Sequence, residues 1–597
     1  MPGTFLDKFK SGATAGAKSV YHTVCKLSQE KTNGKSRLGT LLAPLLPMFL
    51  SNNPLPHGFP WGDKTINGTN PYHGCPTTGV IRSYDFTLSR ATIAPDGYEV
   101  PALLVNGAFP GPTIEANWGD TIQVTVHNNI TGPEEGTAIH WHGILQRGTP
   151  WEDGVPGVTQ CPIPPGKSYT YQFRADMFGT SWYHAHFSAQ YSAGIFGPMV
   201  VYGPETVPYD LDLGPVMLTD WYHNGYLKII AEMLKPGGDP RVFSDNNLIN
   251  GKMNFDCTKV APGDNTKCTS NAGISKFKFQ SGKTHRLRLI NSGADGVQRF
   301  SIDQHTMTVI ANDFVPIKPY EAKVVTLGVG QRVDVIVKAD QGAPKSAFWM
   351  RSTLTKCTLA RQPNAVAAIY YDEDTGAVPT SQPHDVPDPV TCANDDLALT
   401  QPLFPIPASE PSYAHTFNIE LFRNASNVTL WKFDGVSARV NMNAPPLLLA
   451  NLGNTSFPPE WNVHNVGSNS SIRMIVVNKT PAAHPMHLHG ANFQVLAEGV
   501  GPWDGKIVNP QNPMRRDVQQ IRGAGGYLVL QFEADNAGAW PFHCHIAWHA
   551  SGGFFSTFLV QPEEIKKFQI PLSVGQTCRD WASYTQTNVP LQIDSGL

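Results

Sequence analysis

The chain has 597 residues, a formal net charge of −3 and 16% charged residues, so it is too long for one hydrophobic core and predicts about three or four domains. The sequence has no basic stripe, heptad run or low-complexity tract, so we expect no nucleic-acid partner. Short runs of β-branched and aromatic residues alternate with glycine and proline, which number 54 and 50. This pattern indicates an all-β protein.

Residues 1–37 are polar and mildly basic, and an apolar run follows at residues 38–50. That run is too short and too rich in proline for a membrane span. We interpret it as a displaced signal segment that is removed from the mature protein, with a mispredicted start or a flexible arm as alternatives. We therefore predict that residues 1–78 are an N-terminal lead-in and that the chain has no stable membrane span.

Nine cysteines and several Asn-x-Ser/Thr sequons favour an oxidising, secretory compartment. If one cysteine binds a metal, the other eight can form four disulfides. We predict a secreted, extracellular glycoprotein, although each sequon alone is a weak signal. The sequons lie at Asn67, Asn129, Asn424, Asn427, Asn454, Asn469 and Asn478.

Strand and turn signals divide the rest of the chain into three units. The units are predicted at residues 79–205, 206–371 and 412–597. A connection rich in Pro, Asp and Thr, at residues 372–411, is predicted to be a linker between the second and third units.

Each unit contains one extended run that alternates side-chain character and ends in asparagine. The runs begin at Thr121, Thr284 and Ser471. This internal repetition predicts three related β-sandwich domains.

The most informative stretch reads Trp-Pro-Phe-His-Cys-His-Ile-Ala-Trp-His and occupies residues 540–549. Its aromatic and branched residues predict an extended backbone at residues 542–546, in which successive side chains alternate faces. His543 and His545 then point one way and Cys544 the other, so one strand would contact two metal centres. A thiolate with imidazoles suits a blue-copper electron-transfer site. Alone, the stretch is also compatible with zinc, or with a buried cysteine beside surface histidines.

Ten of the 20 histidines fall into four short clusters. Histidines two positions apart on a strand project from one face, so four such pairs can surround a compact site with eight nitrogens. Eight imidazoles without carboxylates or thiolates suit copper better than calcium or magnesium. The clusters are His140 and His142; His184 and His186; His484, His487 and His489; and His543, His545 and His549.

Four motifs in this order resemble those of the multicopper oxidases, and within them the ascomycete-type laccases. The resemblance runs from about residue 79 to residue 597. It implies an all-β fold of three consecutive cupredoxin-like β-sandwich (Greek-key barrel) domains. The motifs are His140-Trp-His-Gly with Gln146 and Asp153-Gly-Val-Pro; Gly179-Thr-Ser-Trp-Tyr-His-Ala-His-Phe; His484-Pro-Met-His-Leu-His-Gly; and Phe542-His-Cys-His-Ile-Ala-Trp-His.

The resemblance also implies four coppers per chain, of three types. Reduction of dioxygen to two waters takes four electrons, whereas phenols release them singly, so four coppers reconcile the two stoichiometries. The type 1 copper, which receives electrons from the reducing substrate, would be held by His484, Cys544 and His549. The type 2 copper would be held by His140 and His487, and the type 3 pair by His142, His184, His186, His489, His543 and His545.

Three further residues gain expected roles from the same resemblance. Phe554, ten residues after Cys544, occupies the axial position where many blue-copper proteins have methionine. Because a phenyl group cannot coordinate, we expect a high reduction potential. Asp295 would lie in the phenol pocket and accept the phenolic proton as the electron leaves, the alternative being an ordinary solvated aspartate. Asp153 resembles a carboxylate near the type 2 site that assists proton delivery to oxygen.

The end of the chain and the cysteines also follow the family pattern. Residues 594–597 resemble the mature C-terminus of ascomycete laccases, in which the tail enters the solvent channel toward the trinuclear cluster. Cys75 could pair with Cys25 only if the N-terminal segment stays attached, which the predicted processing denies. The resemblance pairs Cys161 with Cys578 and Cys357 with Cys392, and Cys257 and Cys268 could close a local loop.

The resemblance predicts a monomeric laccase that oxidises phenols or aromatic amines and reduces O2 to water, with lignin degradation among its expected roles. Another multicopper oxidase, either a ferroxidase or a pigment-forming phenol oxidase, is the first alternative. A ferroxidase would place several carboxylates around His484 and His549. The second alternative is a non-enzymatic copper-binding or electron-carrier protein, which would need only the Cys544 site.

Overall fold

The computed structural model describes residues 60–204, 206–588 and 592–597. In this part of the chain, 30 strands form six sheets, two in each of three consecutive sandwiches. The prediction of an all-β protein built from three β-sandwich domains is confirmed. The strands run from Ile81 to Tyr202, from Leu211 to Tyr371 and from Tyr413 to Val560, and the domain limits stated above stay predictions.

The first sandwich has two four-stranded sheets. Its strand Thr121–Asn128 alternates buried and half-buried residues, because the apolar side chains of this strand all point from one face into the core. In spatial order, one sheet contains β2 (Val100–Val105), β1 (Ile81–Ile93), β4 (Thr121–Asn128) and β6 (Ser168–Arg174), and the other contains β3 (Ile114–Asn117), β8 (Phe196–Tyr202), β7 (Gly179–Ala185) and β5 (Ile139–Trp141).

The second sandwich has a six-stranded and a five-stranded sheet. The six-stranded sheet contains, in spatial order, β10 (Asn246–Ile249), β9 (Leu211–Trp221), β12 (Thr284–Asn291), β17 (Arg332–Lys338), β14 (Met307–Asn312) and β15 (Val315–Ala322). The five-stranded sheet contains β11 (Lys276–Phe279), β19 (Asn364–Tyr371), β18 (Ala347–Leu354), β13 (Gln298–Ile302) and β16 (Val325–Leu327).

The third sandwich repeats the arrangement of the second, with six strands facing five. The larger sheet contains β21 (Thr429–Phe433), β20 (Tyr413–Arg423), β23 (Ser471–Asn478), β28 (Gly526–Glu533), β25 (Phe493–Val500) and β26 (Met514–Arg516). The smaller sheet contains β22 (Val463–Gly467), β30 (Phe555–Val560), β29 (Gly538–Cys544), β24 (His484–Leu488) and β27 (Val518–Ile521).

One buried asparagine recurs at the same place in all three sandwiches. Strands β4, β12 and β23 each pair in parallel with an earlier strand and antiparallel with a later one. Their last residues, Asn128, Asn291 and Asn478, are fully buried. Each side-chain amide donates hydrogen bonds to two backbone carbonyls, at least one of them in the loop that follows, and thereby fixes that loop. The sequon at Asn478 is therefore inaccessible to glycosylation in the folded protein.

The described residues form five α-helices outside the sheets. The longest helix, Leu572–Thr587, packs Trp581 edge-on against Phe187 of the first sandwich. The α-helices are α1 (Tyr226–Met233), α2 (Pro446–Asn451), α3 (Ala547–Ser551), α4 (Pro562–Ile565) and α5 (Leu572–Thr587). Short 3-10 helices lie at Pro150–Glu152, Gln190–Ala193, Cys257–Lys259 and Pro459–Trp461. No helix among the described residues is long and apolar enough to cross a membrane.

Three disulfides confirm the predicted pairs. One of them connects α5 to the first sandwich across 417 residues of sequence. Cys75 and Cys544 are the free cysteines among the described residues, whereas Cys25 and the predicted signal segment lie outside them. The disulfides join Cys161 to Cys578, Cys257 to Cys268 and Cys357 to Cys392.

The predicted linker contains neither helix nor strand between Tyr371 and Tyr413. It packs along the second sandwich, where Tyr320 donates a hydrogen bond to Asp395 at 2.6 Å. The linker is therefore ordered along that sandwich, and its Asn394 side-chain oxygen also accepts the backbone N–H of Gln520 in the third sandwich at 3.0 Å.

Glu152, the last residue of the 3-10 helix Pro150–Glu152, carries a buried carboxyl group in the first sandwich. Its side chain accepts a hydrogen bond from the Tyr169 hydroxyl at 3.2 Å, and the residue is 5% exposed. Burial raises the pKa of Glu152 to about 8, because the charged form loses its hydration. The folded protein therefore keeps a proton on Glu152 at neutral pH.

We predict that Glu152 makes the stability of the protein fall as the pH rises. An unfolded glutamate releases its proton near pH 4.3, so between that pH and about 8 the folded state binds more protons than the unfolded state, and deprotonation favours unfolding. The gain in Tm of Glu152→Gln over the wild type should therefore be larger at pH 8 than at pH 5. Differential scanning calorimetry measures this, with Glu134→Gln, an exposed carboxyl of the same sandwich, as the control. Equal differences at the two pH values would contradict the prediction.

Candidate metal centre

Cys544 and two histidines form a buried cluster in the third sandwich. Cys544 ends β29, His484 begins the neighbouring strand β24, and His549 lies in α3. The Cys544 sulfur is 3.7 Å from Nδ1 of His484 and 3.5 Å from Nδ1 of His549. The two nitrogens are 3.1 Å apart. These three donor atoms are close enough together to bind one ion.

The surroundings of this cluster favour metal binding over ordinary packing. The Thr480 hydroxyl lies 2.9 Å from Nε2 of His484, which leaves Nδ1 to face the sulfur. Burial lowers the pKa of His484 well below its usual value and that of His549 to about 3, so both imidazoles are neutral. Burial also raises the pKa of the Cys544 thiol, and a bound cation would have to displace its proton.

Phe554 closes the same cluster with an apolar ring. Its ring centroid is 5.0 Å from that of His484, and the side chain is fully buried. Trp431 stacks on it at 5.8 Å. The side of the cluster covered by Phe554 is therefore dry and presents no donor atom from this residue.

The neighbours of Cys544 point to a second cluster. Regular pairing of β29 ends at Cys544, but the backbone stays extended at Ile546, with φ −68° and ψ 119°. Nε2 of His543 lies 3.2 Å from Nε2 of His489, and Nε2 of His545 lies 3.3 Å from Nδ1 of His142. The two imidazoles and the sulfur therefore contact different partners, as alternation along an extended chain requires.

Eight buried histidines make up this second cluster, which lies between the first and third sandwiches. Each of these two sandwiches contributes two pairs, and in each pair at least one histidine lies on or directly after a strand. The first sandwich supplies its pairs from β5, β7 and the residues that follow them, and the third from β24, β29 and the residues that follow them. Neighbouring imidazole centroids lie as close as 4.0 Å. The members are His140, His142, His184, His186, His487, His489, His543 and His545, and the structure brings all of these predicted residues together.

Outer hydrogen bonds orient these imidazoles. Nδ1 of His140 is 2.8 Å from the backbone oxygen of Asp153, and Nδ1 of His487 is 2.8 Å from that of Asp517. A carbonyl can only accept, so these nitrogens carry the hydrogens. Backbone carbonyls orient His184 and His543 in the same way. The opposite nitrogen of each ring is left with a lone pair, as expected of metal ligands.

Two carboxylates complete these outer contacts. Asp153 Oδ2 is 2.9 Å from Nδ1 of His489, and its Oδ1 is 3.3 Å from Nδ1 of His140. Asp517 Oδ1 is 3.0 Å from Nε2 of His142. Asp153 therefore lies at the histidine cluster, as predicted, and Asp517 is a second carboxylate there that the sequence analysis missed.

Asp517 belongs to a buried ion network that joins the sandwiches. The Arg332 guanidinium donates two hydrogen bonds to Asp517 and one to the backbone oxygen of Thr180 in the first sandwich. Asp313 accepts from Arg516 at 3.0 Å. Burial raises the pKa of Asp517 to about 6, although Arg332 opposes the shift. A charged residue directly after Arg515-Arg516, between two buried strands, was the available sequence signal.

Asp295 lies at a cavity that reaches the Cys544 cluster. The cavity has a volume of about 150 Å³ and is also lined by Trp431, Trp548 and His549. Burial of the carboxyl group and the nearby charge of Asp220 raise the pKa of Asp295 to about 8. The predicted substrate residue is therefore beside the edge of the Cys544 cluster. Its carboxyl group holds a proton at neutral pH, as Glu152 does, and its deprotonated form is a stronger base than an ordinary aspartate.

Asp220 holds the loop that carries Asp295. Its buried carboxylate accepts the backbone N–H groups of three successive residues, 294–296, at 2.6–2.9 Å. The Tyr222 hydroxyl also donates to it at 3.0 Å. The position of Asp295 is therefore fixed by β9. This role was not predicted, because residues 220 and 295 are far apart in sequence.

Comparison with known proteins identifies the family. Family models described as multicopper oxidase match residues 87–206, 212–374 and 423–564. The chain is 38% identical to Laccase-2 of Botryotinia fuckeliana, over 90% of this chain and 92% of that protein. It is also 38% identical to the dihydrogeodin oxidase of Aspergillus terreus, over 90% of this chain and 93% of that protein. This chain belongs to the multicopper oxidase family.

The solved structures agree with this membership. The crystal structure of the laccase from Botrytis aclada matches this multicopper oxidase with a TM-score of 0.82 and 38% identity, covering 90% of this chain and 98% of that one. The three sandwiches are therefore cupredoxin-like domains, and the predicted resemblance is confirmed.

The residues of this multicopper oxidase fit copper, the metal that the family implies. Within the described residues, five imidazole nitrogens of the histidine cluster are buried without a hydrogen-bond partner: Nε2 of His140, His184, His186 and His487, and Nδ1 of His545. Unpartnered buried acceptors are costly unless they coordinate a cation. Imidazole nitrogens with one thiolate are donors that copper prefers.

We predict that Asp517 supports metal binding through His142. Asp517→Asn keeps the shape of the side chain but weakens its bonds to Arg332 and His142, so copper affinity should fall about 10- to 100-fold. Copper retained after dialysis against graded chelator concentrations measures the loss. The exposed Asp504→Asn, in the same sandwich, is the matched control. Wild-type retention in Asp517→Asn would contradict the prediction.

Proposed function

We propose that this multicopper oxidase is a laccase that takes single electrons from phenols or aromatic amines and reduces O2 to water. The observation that carries the proposal is the strand β29. Its last residue, Cys544, faces one buried donor cluster, while His543 and His545 face the other. A cluster that accepts electrons is thus joined through a few covalent bonds to one that can reduce oxygen.

We propose four coppers per chain with the following ligands. The type 1 copper would be held by His484, Cys544 and His549, and the type 2 copper by His140 and His487. The type 3 pair would be held by His142, His184, His186, His489, His543 and His545. Bound copper supplies one-electron redox chemistry that no side chain of this cluster provides. The tight group formed by His186, His489 and His543 supports a shared type 3 copper for these three residues.

Phe554 is proposed to be the axial residue of the type 1 site. It is buried against His484 and has no coordinating atom. Loss of an axial donor destabilises the oxidised, more charged state of the metal. A high type 1 potential follows, and it suits the oxidation of phenols.

Asp295, in its deprotonated form, is proposed to be the proton acceptor for the phenol. Removing an electron from a phenol makes its hydroxyl strongly acidic, so a carboxylate beside the electron exit favours the reaction. The cavity places Asp295 and His549 on one surface, and Asp220 fixes the loop. Asp153 is proposed to orient His140 and His489 and to assist proton delivery to oxygen.

The alternative functions would each need a different set of residues at the Asp295 cavity and at the histidine cluster. A ferroxidase would need several carboxylates near His549, but among the described residues that line the cavity Asp295 is the one carboxylate. An electron carrier has no use for the eight-histidine cluster. A dedicated phenol oxidase that makes one product is the stronger rival, because a relative of equal identity is named dihydrogeodin oxidase. We further propose a secreted monomer, supported for secretion by three disulfides.

The proposal predicts a fixed ratio of donor to oxygen. Fully copper-loaded protein, reduced without oxygen and then exposed to it, should reoxidise with four electrons per O2. During turnover, four molecules of a methoxyphenol should be consumed for each O2, as measured with an oxygen electrode. A ratio of two, which implies peroxide release, or no reoxidation, would contradict the proposal. Faster turnover of ferrous ion than of the phenol would favour a ferroxidase. Activity on a single phenol, with no activity on others, would favour a dedicated phenol oxidase.

Asp295→Asn should separate phenolic from non-phenolic donors. The amide cannot accept the proton, so kcat/KM for a methoxyphenol should fall about 100-fold. The kcat/KM for a donor that releases an electron without a proton should change little. The exposed Asp256→Asn in the same sandwich is the control. An equal loss for both donor classes would show that Asp295 has a structural role instead.

A further inference from the structure

Buried polar atoms without partners are costly, so several of them in one place point to a ligand. Among the described residues, one such group is the histidine cluster. A second group lines a separate cavity of about 100 Å³ between the first and third sandwiches. We call it the Arg515 cavity, after its most buried charged residue. It is lined by Tyr72, Arg147, Asn492, Arg515, Glu533 and Asp535, among others.

Four residues of the Arg515 cavity carry five unpartnered buried atoms. They are the Tyr72 hydroxyl, Nε of Arg147, Nε of Arg515 and both amide atoms of Asn492, each without a hydrogen-bond partner in the described part of the chain. Four of these five groups can donate a hydrogen bond, and two of the donors are guanidinium N–H groups. The unpartnered groups of the cavity therefore mostly need hydrogen-bond acceptors. Because two of the donors belong to guanidinium groups, a negatively charged acceptor suits them best.

Arg515 is a buried cation without a counter-ion among residues 60–204, 206–588 and 592–597. It is 2% exposed, and its guanidinium donates to the backbone oxygen of Phe404 and to Asn512. Its charge lies 6.0 Å from the Tyr72 ring centroid. No carboxylate in the described chain lies within ion-pair distance of it. An unpaired buried charge is unfavourable and attracts an ion of opposite sign.

The two acidic residues of the cavity do not supply that charge. Arg147 pairs with Asp535 at 3.1 Å, so Asp535 is already neutralised. Glu533 is exposed and accepts from the Ser409 hydroxyl at 3.1 Å. Arg515 therefore has no direct ion-pair partner among the residues of the cavity, and Glu533 contributes a negative charge only at its exposed edge.

We propose that the Arg515 cavity binds a small oxoanion, with the size of phosphate or of a short carboxylate. A volume of about 100 Å³ holds about three water-sized groups. Guanidinium, amide and hydroxyl donors are the groups that bind oxoanions. The oxygens of the anion would accept from Arg515, Arg147, Asn492 and Tyr72, while the Asn492 carbonyl would bind water or a protonated oxygen of the ligand.

A bound oxoanion would connect the two sandwiches that share the histidine cluster. Arg147 comes from the first sandwich and Arg515 from β26 in the third. Asn536 already bridges the same junction, donating to the backbone oxygens of Leu145 and Gly490 at 2.7 and 2.9 Å. Because the anion would bind the folded protein and not the unfolded chain, it would also raise thermal stability.

Titration of the full-length, copper-loaded protein tests the proposal. After dialysis into a buffer free of oxoanions, inorganic phosphate and acetate are titrated by isothermal calorimetry, and Tm is followed in parallel. We expect saturable binding of one anion per chain and a rise in Tm. The anion that binds more tightly identifies the source as phosphate or carboxylate. No saturable binding of either anion would overturn the proposal.

Two variants locate the site. Arg515→Gln removes the charge, and Tyr72→Phe removes one hydroxyl and leaves the packing intact. Each should weaken binding about tenfold or more, because a charge-assisted hydrogen bond is lost. Arg579→Gln, on the exposed face of α5, is the matched control and should bind as the wild type does. If Arg515→Gln does not fold, Tyr72→Phe alone decides, and wild-type affinity in it overturns the assignment to this cavity.

Discussion

Eight imidazoles from two different sandwiches have to meet as one cluster, and the rest of the molecule is arranged around that requirement. Neither the first nor the third sandwich contains the cluster alone. The second sandwich contributes no histidine to it but supplies Arg332, whose guanidinium bonds Asp517 in the third sandwich and Thr180 in the first. Since Asp517 also contacts His142, the relative position of the sandwiches and the orientation of an imidazole depend on the same buried ion pair.

Burial sets the chemical state of both donor clusters. It keeps the imidazoles of His484 and His487 neutral and therefore able to donate their lone pairs, and it makes the free Cys544 thiol hard to ionise. A cation reverses that balance at the thiol because it stabilises the thiolate directly. At the substrate side the same effect raises the pKa of Asp295 to about 8. One property, exclusion of water, thus prepares ligands in one place and a base in another.

The alternation of residues along the strands made much of the fold and of the metal-ligand set predictable from the sequence. Alternation along a strand placed His543 and His545 away from Cys544, and the repeated runs ending in Asn128, Asn291 and Asn478 gave three sandwiches. The residues that were missed act across long separations in sequence. Asp517, Arg332 and Asp220 look like ordinary charged residues of strands, and only the packing of three sandwiches brings them to the histidines or to the Asp295 loop. Spacing along one chain carries no information on such contacts.

The bond between Cys161 and Cys578 has a consequence for biosynthesis. The two cysteines are 417 residues apart, so at roughly 5–20 residues per second the ribosome needs about 20–80 s to deliver the second after the first. During that interval the first sandwich can fold while Cys161 has no native partner. This crosslink therefore forms only after translation has passed the third sandwich, and Cys161 stays an unpaired thiol until α5 docks.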